Sequence, residues 1–162
     1  MTITIRKIEM KDYQVVWRIF RQVVATGDTY AYSADIEREE ALEIWIDRPR
    51  KTYVAELDGV VVGTYYIKTN QPGLGNHICN AGYMVAAEAR GKGVGRAMAE
   101  HSLVEARRMG YHAMQFNMVV STNSTAVKLW QSLGFEIVGV IPQAFNHAQL
   151  GLVDAYVMYK RL

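Results

Sequence analysis

Residues 51–69, KTYVAELDGVVVGTYYIKT, constrain this chain more than any other stretch. Two runs rich in β-branched and aromatic residues flank Asp58-Gly59, a dipeptide suited to the positive φ angles of a tight turn. The stretch predicts an antiparallel hairpin over 51–57 and 60–69. Around it the apolar period switches repeatedly between two and 3.6. Alternation over Thr2–Ile8 predicts a first strand. Tyr13, Val16, Trp17, Phe20 and Val24 share one helical face, and Gly27 marks the end of that helix. A loop is expected over Gly27–Asp35, and a second helix over Ile36–Asp47, stopped by Pro49. A strand is read at His77–Val85, a helix from about Gly93 to Met109, and a strand at His112–Val120. A short helix over Asn123–Leu133 ends at Gly134, and closing strands are read at Glu136–Ile141 and Asp154–Lys160. A long polar loop, Gln143–Leu152, is expected between these last two. The order β-α-α-β-β-β-α-β-α-β-β predicts an α/β (α+β) protein with a mixed sheet covered by helices.

Repeats, low-complexity tracts and linkers are absent, so residues 1–162 read as one domain. Net charge is +2, which gives no global field to attract nucleic acid or an acidic membrane. Cys79 is the lone cysteine and can form no internal disulfide. Together with the absence of an apolar leader or spanning run, it gives the expectation of a cytoplasmic protein. No His, Cys, Asp or Glu cluster has metal-ligand spacing, so no metal is expected.

The next informative stretch is RGKGVGRAMAE, residues 90–100. A nucleotide loop of the G-x-x-x-x-G-K-[ST] type is excluded, because no hydroxyl follows Lys92. A dinucleotide fingerprint fails as well, since Arg96 or Met98 stands where the third glycine belongs. What remains is an anion nest at a helix start, flanked by Arg90, Lys92 and Arg96, or a plain glycine-rich turn with solvated basic residues.

The spacing R-x-x-G-x-G (Arg90, Gly93, Gly95), after a strand and opening a helix, resembles the acyl-CoA diphosphate loop of the GCN5-related N-acetyltransferases (GNAT superfamily). A second segment resembles the same family. N-x-x-A-x-x-L-[aromatic]-x-x-L-G-F is read here as Asn123, Ala126, Leu129, Trp130, Leu133, Gly134 and Phe135. The resemblance implies a GNAT fold, with about seven mostly antiparallel strands and about four helices. It also implies transfer of an acetyl group from acetyl-CoA directly to an amine. By the same resemblance the cofactor contacts are Met84, Val85, Arg90, Gly91, Lys92, Gly93, Val94, Gly95, Arg96, Asn123 and Trp130. A homodimer is expected by analogy with the fold.

Many relatives carry tyrosine where this chain has Trp130. A phenol can protonate a leaving thiolate, whereas an indole is no practical proton source, so no general acid is assigned. Gly82, inside its strand, signals a bulge or a close backbone approach. Asn80 and Asn117 interrupt apolar strands, where unpaired amides cost about 1–3 kcal/mol. With Asn123 they are expected to form one polar cluster where two strands part, or else to satisfy backbone groups there. CNAG, the loop, and FNMVVSTN together look like the subgroup that acetylates proline-like imino acids such as azetidine-2-carboxylate, and phosphinothricin-type enzymes share much of this layout. That resemblance makes Asn80 and Asn123 the catalytic candidates. Thr29, Tyr30, Tyr32, Asn80 and Asn117 are the candidates for binding a small-molecule amine, an amino or imino acid. A binding module without turnover, and a peptide or protein acetyltransferase, stand as alternatives.

Overall fold

The computed structural model describes residues 1–162. Seven strands form one sheet in the order β1-β2-β3-β4-β5-β7-β6. They are β1 (Ile3–Lys7), β2 (Lys51–Leu57), β3 (Val60–Thr69), β4 (Ile78–Val85), β5 (Ala113–Val120), β6 (Glu136–His147) and β7 (Gly151–Arg161). The helices are α1 (Tyr13–Val24), α2 (Arg38–Leu42), α3 (Val94–Arg108) and α4 (Ser124–Ser132). The hairpin β2–β3 forms as the sequence dictates, with Asp58 at φ 50° and Gly59 at φ 84° in its turn. No helix is long and apolar enough to cross a membrane.

Every neighbouring pair is antiparallel except β4 and β5. That parallel pair is short: Ile78 faces Ala113, Cys79 faces Met114, and the ladder then stops. Beyond Cys79 the two strands part, and the gap between them positions everything that follows.

Two elements differ from their sequence pattern. The second helix is α-helical only over Arg38–Leu42 and widens into a π turn at Glu43–Asp47. The π turn seats Trp45, which is fully buried: its Nε1 donates to Thr64 Oγ1 and its carbonyl accepts from Thr52 Oγ1. Such widening commonly marks a tertiary demand rather than a local preference. The expected loop Gln143–Leu152 is mostly strand, because β6 runs on to His147 and β7 begins at Gly151. Pro142 and the polar residues after it hide this extension. The register shifts between Ile141 and Phe145, where Gln143 takes φ 49° and donates its N–H to Asp154 Oδ1 at 3.0 Å.

Gly82 is a close approach and not a bulge. The β3–β4 register is unbroken through it, and a Cβ there would sit 2.6 Å from the Tyr66 ring.

Candidate active site

A cleft of about 900 Å³ opens where β4 and β5 part. Its floor is apolar and aromatic. Trp130 on α4 is buried beside Phe116 (centroids 4.5 Å apart) and Tyr83 (5.0 Å). Its indole makes no hydrogen bond within the protein but is not sealed from the cleft, which it lines.

Two side chains substitute for the missing ladder. Asn80 lies one residue past the last parallel pair, with its main chain turned to Lys68 of β3 and its side chain reaching β5. Its Nδ2 donates to the Gln115 carbonyl at 3.0 Å, and its Oδ1 accepts from Tyr66 Oη at 3.2 Å. The asparagine therefore wedges the strands apart with its buried amide satisfied. Farther along β4, the Tyr30 hydroxyl accepts from Tyr83 N–H at 2.7 Å and donates to Tyr83 C=O at 2.8 Å. Both main-chain groups of Tyr83 therefore face the gap. Because a strand's backbone alternates, those of Val85 face it too, while Met84 turns its main chain to β3. Ala86, two residues on from Met84, donates to Val62 C=O at 2.7 Å and confirms this phase. Of the two cofactor contacts expected on β4, Val85 thus turns its amide to the cleft and Met84 does not. Met84 contributes to the wall, but not with its N–H.

The glycine loop closes one end of the cleft. Gly91 and Gly93 have φ 75° and 81°, and α3 begins directly after Gly93. Ala97 N–H is the first amide to bond back into the helix, to Gly93 C=O. The N–H groups of Gly91, Gly93, Val94, Gly95 and Arg96 have no partner in the protein. Five consecutive or near-consecutive free donors at the positive end of a 15-residue helix are an anion nest, and they fit a diphosphate. Arg90, Gly91, Gly93, Val94, Gly95 and Arg96 all line the cleft, whereas Lys92 does not. Arg96 also ties α3 to α4, donating to Ser132 Oγ at 2.8 Å.

On the opposite side, the loop after α1 lays Tyr30 and Tyr32 parallel, their centroids 5.9 Å apart. Tyr30 meets Trp45 edge-on at 6.0 Å, so the π turn packs against this loop. Thr29, Tyr30, Tyr32, Asn80 and Asn117 all line the cavity.

The three asparagines do not form one hydrogen-bonded cluster. Asn117 lies in a bulge of β5, where the register to β7 shifts between Phe116 and Val119. Its partners are Asn70 Oδ1 at 2.7 Å and Gln115 Nε2 at 3.0 Å. Asn123 caps α4, its Oδ1 accepting from Ala126 N–H at 3.3 Å. Both still contribute to the wall.

The cleft holds no obvious acid. Tyr83 Oη bonds Ser102 Oγ at 2.6 Å, and Tyr66 Oη is engaged by Asn80. Burial pushes both phenols well above their ordinary range, so they stay protonated. Cys79 is buried off the cleft with its thiol pushed up to about 12, and it offers no nucleophile. His101 faces away too, its Nδ1 2.7 Å from Tyr65 Oη, and His77 is exposed. No group of three or more His, Cys, Asp or Glu side chains could hold a metal.

Sequence reasoning passed over Asp28 and Phe116, both on the wall. Asp28 stood in plain sight beside Thr29. Phe116 carries only the signal of an ordinary strand aromatic.

The profile of the Acetyltransferase (GNAT) family matches residues 5–135. The chain belongs to that family. A GCN5-related N-acetyltransferase from Kribbella flavida superposes with TM-score 0.94 at 43% identity, covering 99% of this chain and 98% of that one. The phosphinothricin acetyltransferase of Sinorhizobium meliloti, solved in complex with acetyl-CoA, shares the GNAT fold at TM-score 0.88 and 22% identity, with 100% and 89% covered. Among curated proteins, the N-acetyltransferase aca1 of Schizosaccharomyces pombe is 41% identical over 98 residues, 60% of this chain. The match spans 47% of that relative, under half its length. The GNAT profile thus covers both the glycine loop and the α4 segment.

Proposed function

We propose that this GNAT protein moves the acetyl group of acetyl-CoA directly to the amine of a small molecule, an amino or imino acid. The observation that carries the reading is one continuous wall. The free N–H groups of the glycine loop and the unpaired β4 edge meet in a single cleft with an apolar floor. The loop nest and Arg90 and Arg96 would hold the diphosphate of the cosubstrate, which supplies an activated acyl group as its thioester. The Val85 main chain would hold the pantetheine arm as an added strand, the role β5 vacates past Met114. Asn80 would orient the reacting centre and Asn117 the acceptor carboxylate, as amides that add no positive charge beside an amine. Asn123 would act by holding the start of α4 against the cofactor. Trp130 would pack on the arm and exclude water.

No serine or cysteine lines the wall, which supports direct attack by the amine. Holding both reactants in one cleft makes the step effectively unimolecular. We also infer a homodimer, because the edge strand β6 leaves Val138, Val140 and Ile141 exposed. Sedimentation at the monomer mass across micromolar concentrations would rule that out.

The test of activity is CoA release from acetyl-CoA against free L-amino acids and azetidine-2-carboxylate. Acetylation of one or a few such acceptors is expected. Tight acetyl-CoA binding with no turnover on any of them would instead make the protein a binding module.

A further inference from the structure

The amine in that reaction arrives as an ammonium and must lose a proton before it can attack. We propose that Asp28 anchors this ammonium and takes its proton, passing it to a water-filled annex behind the loop. The inference rests on the acetyltransfer reading above and names the base that the reading lacks.

Asp28 is the only carboxylate on the cleft wall, and no histidine lines it. The remaining titratable groups there are Arg90, Arg96 and four tyrosines, Tyr30, Tyr32, Tyr66 and Tyr83. Arginine stays protonated. Burial raises each of the four phenols, so none accepts a proton near neutrality. The Asp28 carboxylate accepts from Thr26 Oγ1 and has no cationic partner in the protein. A carboxylate beside an apolar, aromatic floor, unneutralised by the protein, is suited to a cationic ligand.

A second cavity, about 140 Å³, shares Asp28, Thr29, Asn123 and Thr125 with the cleft and has no hydrophobic residue in its lining. It is roomy enough for several waters, each with a share of about 30 Å³. One feature marks it as built for polar contents. His147 is buried, and its Nδ1 accepts from the N–H groups of Gln149 (3.1 Å) and Leu150 (3.2 Å). That pair of donors forces the ring proton onto Nε2, so His147 offers a donor to the annex and cannot itself be the base. Asp28 thus stands at the boundary between a largely apolar cleft and a polar chamber.

The balance is simple. One proton of R–NH₃⁺ passes to the Asp28 carboxylate and on to annex water. The freed lone pair then forms the N–C bond as the C–S bond breaks. The second nitrogen proton ends on the departing sulfur, giving R–NH–acetyl, CoA–SH and one released proton.

The experiment compares wild type with Asp28→Asn and Asp28→Glu on the fastest acceptor of the panel, with acetyl-CoA affinity as the control for folding. Asp28→Asn should lower kcat/KM by about 10²–10⁴ near neutrality while acetyl-CoA affinity stays within about twofold. The deficit should shrink as pH rises toward the acceptor's own pKa, where free amine needs no base. Asp28→Glu should recover part of the rate. An Asp28→Asn deficit that is absent, or equal at every pH, overturns the proposal while leaving acetyltransfer intact. Wild type that binds acetyl-CoA but acetylates no amine overturns both. If Asp28→Asn fails to bind acetyl-CoA, Asp28→Ala with added formate decides: rate recovery upholds the base, and none removes it.

Discussion

The phenol of Tyr30 closes the backbone of Tyr83 from both sides, taking its N–H at 2.7 Å and giving to its C=O at 2.8 Å. A single side chain thereby does what β5 stops doing past Met114. Because Tyr30 belongs to the loop beside the cleft, this loop covers the β4 edge at Tyr83.

Tyr30→Phe should therefore keep the fold but leave two buried backbone groups unpaired. Loss of about 1–3 kcal/mol is expected, measured by chemical denaturation. Amide exchange at Tyr83 should accelerate relative to Ile67, its neighbour in the same core. Unchanged exchange at Tyr83 would show that the phenol is not what protects the edge.

The two strand asparagines should separate cleanly. Asn80 is buried and carries the split, so Asn80→Ala should cost about 1–3 kcal/mol as well as activity. Asn117 is exposed and bonded to two half-buried side chains, so Asn117→Ala should stay within about 0.5 kcal/mol of wild type. Its effect should fall on the acceptor KM. Equal destabilisation by the two would contradict the different burial of the two residues.

Reversing charge in the glycine loop should follow the wall and not the sequence. Arg90→Glu or Arg96→Glu should weaken acetyl-CoA binding by about tenfold or more, roughly 1.4 kcal/mol. Lys92→Glu, off the wall, should weaken it several-fold less. Isothermal titration at fixed salt reads this directly, and equal losses at all three positions would mean a diffuse field instead of a nest.

His101 should give stability a pH dependence. Burial is the main cause holding its imidazole below the ordinary range, with Arg108 adding to the shift and Glu105 opposing it. The unfolded chain therefore binds that proton more readily than the folded one. The His101 contribution is complete above about pH 6.5 and is lost as pH falls through the depressed folded value. The melting temperature of wild type should drop on acidification in that window, and His101→Gln should flatten the drop. Asp12 and Glu105 also have lowered values, but as carboxylates they act in a separate window below about pH 4.

Local chemistry alone determined much of this molecule. The Asp58-Gly59 turn, the amphipathic face of α1, the Gly93 start of α3 and the Asn123 cap of α4 rest on short-range effects. Dihedral freedom, helical period and capping geometry are complete within a few residues, so the sequence carries them. The glycine nest was legible for the same reason. Its donors are free because a helix begins there, and no distant partner is needed.

Tertiary structure decided which of these groups share a wall. Lys92 sits among the loop's charges in sequence but points off the cleft. Met84 and Val85 are neighbours whose amides face opposite strands, a phase set by pairing with β3. The π turn at Trp45, the continuation of β6 past Pro142 and the bulge at Asn117 all answer to packing partners far along the chain. So does Asp28, unremarkable in its own loop, which becomes the one carboxylate of the cleft only when β4 and β5 part beneath it.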